Sequence, residues 1–273
     1  MNTLTPSTLR LPIAASWLGG ALLLAASTAQ AAPMAQGLTS EVGYNEYSVS
    51  ESILEQCRED DRCPEVAIKY LNTSAPWINT IVNQRVNSMV VNSGIRAEEP
   101  VTGNISKAKV QAAVDDFAKE QLATLPKDSS LSYELNVTPG YLGHIGQTEL
   151  FVIDSYVYLG GAHGLPYREY LVFDSQNKRQ ITLNDMLLPK QASRFETLAR
   201  SAYRDWVKTV ADDVDSYEQS WPFSLSKNVT LTNTGITLLY QPYDIGPYAY
   251  GMPELHIPYT KLKGVVKPSY LPK

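Results

Sequence analysis

Glu149-Leu150-Phe151-Val152-Ile153-Asp154-Ser155-Tyr156-Val157-Tyr158-Leu159 decides the fold. Side chains alternate along a strand, so Phe151, Ile153 and Val157 fall on one face and Leu150, Val152, Tyr156 and Tyr158 on the other. Apolar residues on both faces predict a central strand covered from both sides. Downstream, 168–174 reads as a neighbouring strand and Ser175-Gln176-Asn177-Lys178 as a hairpin turn into Ile181-Thr182-Leu183. Phe195, Leu198, Ala199, Ala202, Trp206 and Val210 recur at helical spacing. Three short strands follow, near 229–231, 236–240 and 255–258, the first two joined by Asn233-Thr234-Gly235.

Upstream, 131–141 predicts another strand. Two helical stripes precede it: Ile78, Ile81, Val82, Val86, Met89 and Val90, then Val110, Ala113, Val114, Phe117, Ala118 and Leu122. Ser74 fits the N-cap position of the former helix, with Pro76 in its first turn, and the latter begins near Ser106. Segments 42–52 and 65–71 read as strands, with the Cys57–Cys63 stretch as a long hairpin connection between them. This order predicts an α+β fold of two lobes, with an antiparallel sheet and three amphipathic helices. Thr124-Leu125-Pro126-Lys127-Asp128-Ser129-Ser130 marks the boundary between a lobe at 32–126 and a domain at 127–273.

The first 31 residues read as a secretion signal. Arg10 supplies the positive end, 11–26 is an almost uncharged apolar run, and Ala29-Gln30-Ala31 fits small-x-small cleavage. Periplasmic or secreted location after cleavage near Ala31 is the expectation, with no retained membrane anchor. The chain of 273 residues carries a formal charge of −5. Loss of the signal, with one basic residue and no acid, makes it −6. That balance disfavours nucleic acid and suits a basic partner. Cys57 and Cys63 are the two cysteines, and in an exported chain they read as a structural disulfide. With three scattered histidines they do not make up a metal-ligand set, and the sequence predicts neither metal nor cofactor.

Tyr240-Gln241-Pro242-Tyr243-Asp244-Ile245-Gly246-Pro247-Tyr248-Ala249-Tyr250-Gly251 is too aromatic for an ordinary solvated loop. Its Pro and Gly residues fix a backbone that presents Tyr rings, which suits recognition of a partner. A loop folding its rings back over an open sheet end is the competing reading. His163, after Gly160-Gly161-Ala162, would project from a tight turn. As a catalyst it needs an acid or a nucleophile, for which Asp174, Asp185, Asp244 and Glu254 are candidates. As a structural residue it would hold the turn through its ring nitrogens.

Two blocks resemble the C-terminal half of the extracytoplasmic domain of RsiV-like, lysozyme-sensing anti-sigma factors. One is Gly160-Gly161-Ala162-His163-Gly164 with Phe173-Asp174 and Ile181-Thr182-Leu183-Asn184-Asp185-Met186-Leu187-Leu188. The other is the Tyr loop with Ile257-Pro258-Tyr259-Thr260-Lys261-Leu262. The resemblance spans about 131–263. It implies an exported α+β binding module that meets the cell wall or wall-degrading enzymes. Its partner would be a lysozyme-type hydrolase or peptidoglycan, met by Tyr243, Asp244, Tyr248, Tyr250 and His163 without a catalytic residue. A hydrolase or esterase centred on His163 remains the enzymatic alternative.

Overall fold

A computed structural model describes residues 37, 41–58, 62–93 and 100–271. The predicted signal, 1–31, lies outside them. Among the described residues two sheets form an α+β fold. The larger has the order β1 (Gly43–Glu46), β2 (Glu65–Asn72), β3 (Glu134–Ile145), β4 (Thr148–Tyr158), β5 (Leu165–Asp174), β6 (Arg179–Ile181). The smaller is a meander of β7 (Val229–Leu231), β8 (Gly235–Leu239) and β9 (Glu254–Pro258). β2 runs parallel to β3, and every other neighbouring pair is antiparallel. A parallel pair needs a crossover, and α2 (Pro76–Asn92) with α3 (Lys107–Thr124) supplies it.

The two-faced pattern of β4 works as its residues dictate. Phe151, Ile153 and Val157 join one core with Ile68, Val82 and Val114, under α2 and α3. Leu150 points the other way, into a second core with Val172 and Ile181. That second core is built largely by α5 (Ala192–Val210), which packs on β9 through Phe195, Ala199, Tyr203 and Val207. Short helices α4 (Leu183–Met186), α6 (Val214–Ser220) and α7 (Tyr259–Leu262) border it.

Several expectations change. The strand expected at 42–52 stops at Glu46, and α1 (Glu51–Arg58) follows. Ile53 and Cys57, four residues apart, turn one face of α1 onto Ala118 of α3. The Cys57–Cys63 disulfide therefore links a helix to the approach of β2 rather than closing a hairpin. Arg62, inside that ring, donates to the carbonyls of Leu122 (3.2 Å) and Leu125 (2.5 Å), at the C-terminal end of α3. These are carbonyls that a helix end leaves without partners.

Ser74 is not the cap of α2, whose N-cap is Ala75. The Ser74 hydroxyl instead donates to Glu41. The helix expected to begin near Ser106 is capped by it, the Ser106 hydroxyl accepting from the Lys109 amide at 3.3 Å. β3 runs on to Ile145 through Pro139, which lies beyond the last residue paired with β2. An unpaired edge tolerates the missing amide. Asp213 caps α6 by accepting from the Asp215 and Ser216 amides.

Candidate functional site: an aromatic face beside a groove

β4 leaves the sheet through Gly160 and Gly161, at φ +78° and +111°, conformations that side chains resist. The turn they allow presents His163. Gly164 lies so close to the Tyr156 ring that a Cβ there would collide with it. The His163 imidazole stacks on Tyr248, with centroids 3.8 Å apart and planes 19° from parallel. Its Nδ1 is 3.0 Å from the Gly164 carbonyl, and the Tyr248 hydroxyl donates to the same carbonyl at 2.8 Å. A carbonyl only accepts, so Nδ1 is the donor in that contact.

The Tyr loop joins β8 to β9 in the smaller sheet, whereas the His163 turn follows β4 of the larger one. The two segments meet nonetheless, because Gln241 ties the loop to β5. Its side-chain amide donates to the Arg168 carbonyl at 2.7 Å and accepts from the Arg168 amide at 3.2 Å. Asn228 repeats the arrangement, donating to the Arg168 carbonyl and accepting from the Tyr170 amide. Together they cover the stretch of β5 edge that β6 leaves open.

Within the loop, Tyr240 is buried and donates to Ser224. The Asp244 carboxylate accepts from the Gln241 amide at 2.8 Å and closes the turn. Tyr243 stands at its tip with φ +72° and 52% exposed. A non-glycine residue in that region costs on the order of 1 kcal/mol. Tyr243 lies 5.9 Å from Tyr248, so Tyr243, Tyr248 and His163 form one row. Tyr250 faces elsewhere: its ring meets Trp206 of α5 edge-on and its hydroxyl donates to Val210. Of the five residues expected to make contact, Tyr250 thus latches the loop to α5, and Asp244 shapes the turn.

The row borders a groove of about 760 Å³ between α2, the β4–β5 pair and the loop. Ser155, Val157 and Tyr167 lie along the sheet side, Arg85 and Met89 along α2, and Leu165 at the rim is 58% exposed. Arg85 donates to Glu169 at 2.5 Å. Burial, reinforced by the Glu169 charge, raises the Tyr167 hydroxyl above its ordinary pKa. Sequence reading missed Arg85, Tyr167 and Glu169. The available signal was a charge inside an apolar helix stripe and Tyr167 with Glu169 alternating onto one face of β5.

The candidate acids do not gather around His163. Asp174 accepts from the amides of Gln176 and Asn177 and forms the hairpin turn. Asp185 accepts from Thr182 at the start of α4 and from Arg179. Glu254 accepts from Tyr170 at 2.6 Å, on the opposite face of β5 from Tyr167. His256 sits beside Thr234 and Thr237. No group of three or more His, Cys, Asp or Glu residues among those described could hold a metal ion. Nor is any described helix long and apolar enough to cross a membrane.

Fold and face together define an α+β scaffold that carries a partly exposed aromatic row beside a groove. Residues 180–260, from β6 to α7 and including the Tyr loop, match a family described as a protein of unknown function, DUF3298. A DUF3298 family protein from Pseudomonas aeruginosa PAO1 has a similar structure. Its TM-score is 0.62 at 26% identity, over 85% of this chain and 94% of that one. A DUF3298 family member from Bacteroides fragilis NCTC 9343 gives 0.57 at 18% identity, over 84% and 94%. In sequence, the chain is 22% identical over 242 residues to the peptidoglycan-N-acetylmuramic acid deacetylase PdaC of Bacillus subtilis (strain 168). The match takes in 84% of this chain and 48% of that protein, so the chain spans about half the length of this relative.

Proposed function

We propose that this chain is an exported recognition module working at the bacterial cell wall, and that its aromatic face binds a lysozyme-type wall hydrolase without catalysing a reaction. The observation that carries the reading is the row of Tyr243, Tyr248 and His163 with Leu165 exposed beside it. Exposed apolar side chains on a backbone fixed by Gln241 lose little freedom on binding. The similarity to a protein named for peptidoglycan deacetylation supports the cell-wall setting. The net charge of −5 suits a basic partner, and the resemblance to lysozyme-sensing domains narrows that partner to a hydrolase.

Calorimetry of the protein against lysozyme-type hydrolases tests this. Tyr243→Ala removes a central anchor and is expected to weaken binding by about 2 kcal/mol or more, roughly thirtyfold. Absence of binding by the wild-type protein to every such hydrolase, well above micromolar concentration, rejects the reading.

A further inference from the structure

The groove does not end at the Tyr loop. A second cavity of about 390 Å³ adjoins it, and Arg85, Ser88 and Asn92 of α2 line both. The second basin continues beside Glu169 toward Gln180 of β6, with Thr102 on its outer side. From Ile81 to Asn92 the α2 wall runs about 16 Å at the helical rise. The two basins thus make one trough, longer than a single small ligand requires.

Its chemistry narrows the occupant. Arg85 and Glu169 close on each other across the trough, so that pair presents no net charge to an occupant. The β5 edge at Arg168 and Tyr170 is taken by Gln241 and Asn228, which leaves no backbone there for an extended peptide to pair with. Ser155, only 8% exposed and lining the first basin, has no hydrogen-bond partner among the described residues. Its hydroxyl opens onto the basin and is not sealed in the core, so a ligand can take the place of solvent on it. Tyr243 and Tyr167 add ring surface at the same end, and Met89 and Val157 add apolar wall.

Neutral hydrogen-bonding groups, ring faces and small apolar walls are what an N-acetylated sugar chain meets well. Its ring faces are apolar, its rims carry hydroxyls and its acetamido groups end in a methyl. We propose that the trough binds a β-linked N-acetylhexosamine chain, the glycan strand of the cell wall. The inference rests on the cell-wall setting proposed above and not on the protein partner.

Titration with N-acetylglucosamine hexamer and dimer, beside sedimentation with purified, enzyme-free sacculi, tests it. The hexamer is expected to bind at least tenfold more tightly than the dimer, because only the longer chain reaches both basins. Ser155→Ala, which removes an unpartnered hydroxyl and leaves folding intact, should weaken both by about fivefold. Thr102→Trp, at an exposed position, should block the second basin and lower hexamer binding to the level of the dimer. Equal affinities for hexamer and dimer, unchanged binding in both variants, or no hexamer binding at millimolar concentration overturns the proposal. Hexamer binding without retention on sacculi overturns the wall strand as its source. Hydrolase binding is read separately: its loss with glycan binding intact rejects the protein partner alone, and the converse rejects the trough alone.

Discussion

The His163 ring lies on the Tyr248 ring at 3.8 Å, and both side chains hydrogen-bond the Gly164 carbonyl. One turn after β4 and one loop between β8 and β9 are thereby locked through a single backbone oxygen. His163→Ala removes the stack and one of the two polar contacts. Such aromatic pairs contribute about 0.5–1.5 kcal/mol beyond burial, and a loss of that size is expected in urea unfolding. His163→Phe keeps the stack and should recover most of it. Hydrolase affinity should follow the same order, wild type, Phe, Ala. A catalytic imidazole would instead make Phe as damaging as Ala.

Gly246 is held in place by its neighbours and not by its backbone angles. A Cβ there would come within 2.7 Å of the Tyr217 hydroxyl, 2.9 Å of the Tyr250 ring and 3.3 Å of Trp206. Tyr217 is itself fixed by donating to the Ile245 carbonyl, so it cannot simply withdraw. Gly246→Ala should therefore destabilise by about 1–3 kcal/mol, as overpacking does. A lowered urea midpoint with an unchanged slope is the expected reading. An unchanged midpoint would show that Tyr217 and Tyr250 give way freely.

What the sequence revealed depended on range. β4 was legible because alternation on two faces is a local pattern, and the start of α3 near Ser106 because a helical stripe declares its own beginning. The Tyr loop was legible as a rigid display, since Pro, Gly and Tyr declare themselves in place. The groove was not. Arg85 meets Glu169 across 84 positions, and only the packing of α2 on β5 brings them together. The docking of the loop was hidden likewise, because Gln241 reaches Arg168 from a different sheet. α1 escaped notice because its one buried side is just Ile53 and Cys57, too short a stripe to declare a period.

Asp185 gives the fold a pH signature. It accepts from the Thr182 amide and hydroxyl and from Arg179, each at 2.8 Å, and these bonds lower its pKa from 3.8 to about 2. The folded value lies below the ordinary one, so the contribution is fully present above about pH 4 and lost as pH falls through 2. Asp185→Asn should lower stability at neutral pH by about 1 kcal/mol, as loss of a capping carboxylate does. The difference from wild type should shrink between pH 4 and 2, read by thermal unfolding at each pH. A difference that stays constant over that range would refute the assignment.

The Cys57–Cys63 disulfide does more than shorten the unfolded chain. Cys57 is fully buried against α3, and the ring it closes holds Arg62 over the carbonyls at the end of that helix. Gln121 of α3 returns a hydrogen bond to the Arg62 carbonyl at 2.6 Å, so the contact is gripped from both sides. Closing so short a loop contributes about 2 kcal/mol by chain entropy. The Arg62 contact adds about 1 kcal/mol, the size of a charge-assisted cap. If the ring positions Arg62, the two contributions are coupled. Arg62→Ala should then cost about 1 kcal/mol in the oxidised protein and much less once Cys57 and Cys63 are both alanine. Urea unfolding of the four proteins in that cycle measures the coupling. Strict additivity would mean that α3 holds Arg62 without help from the disulfide.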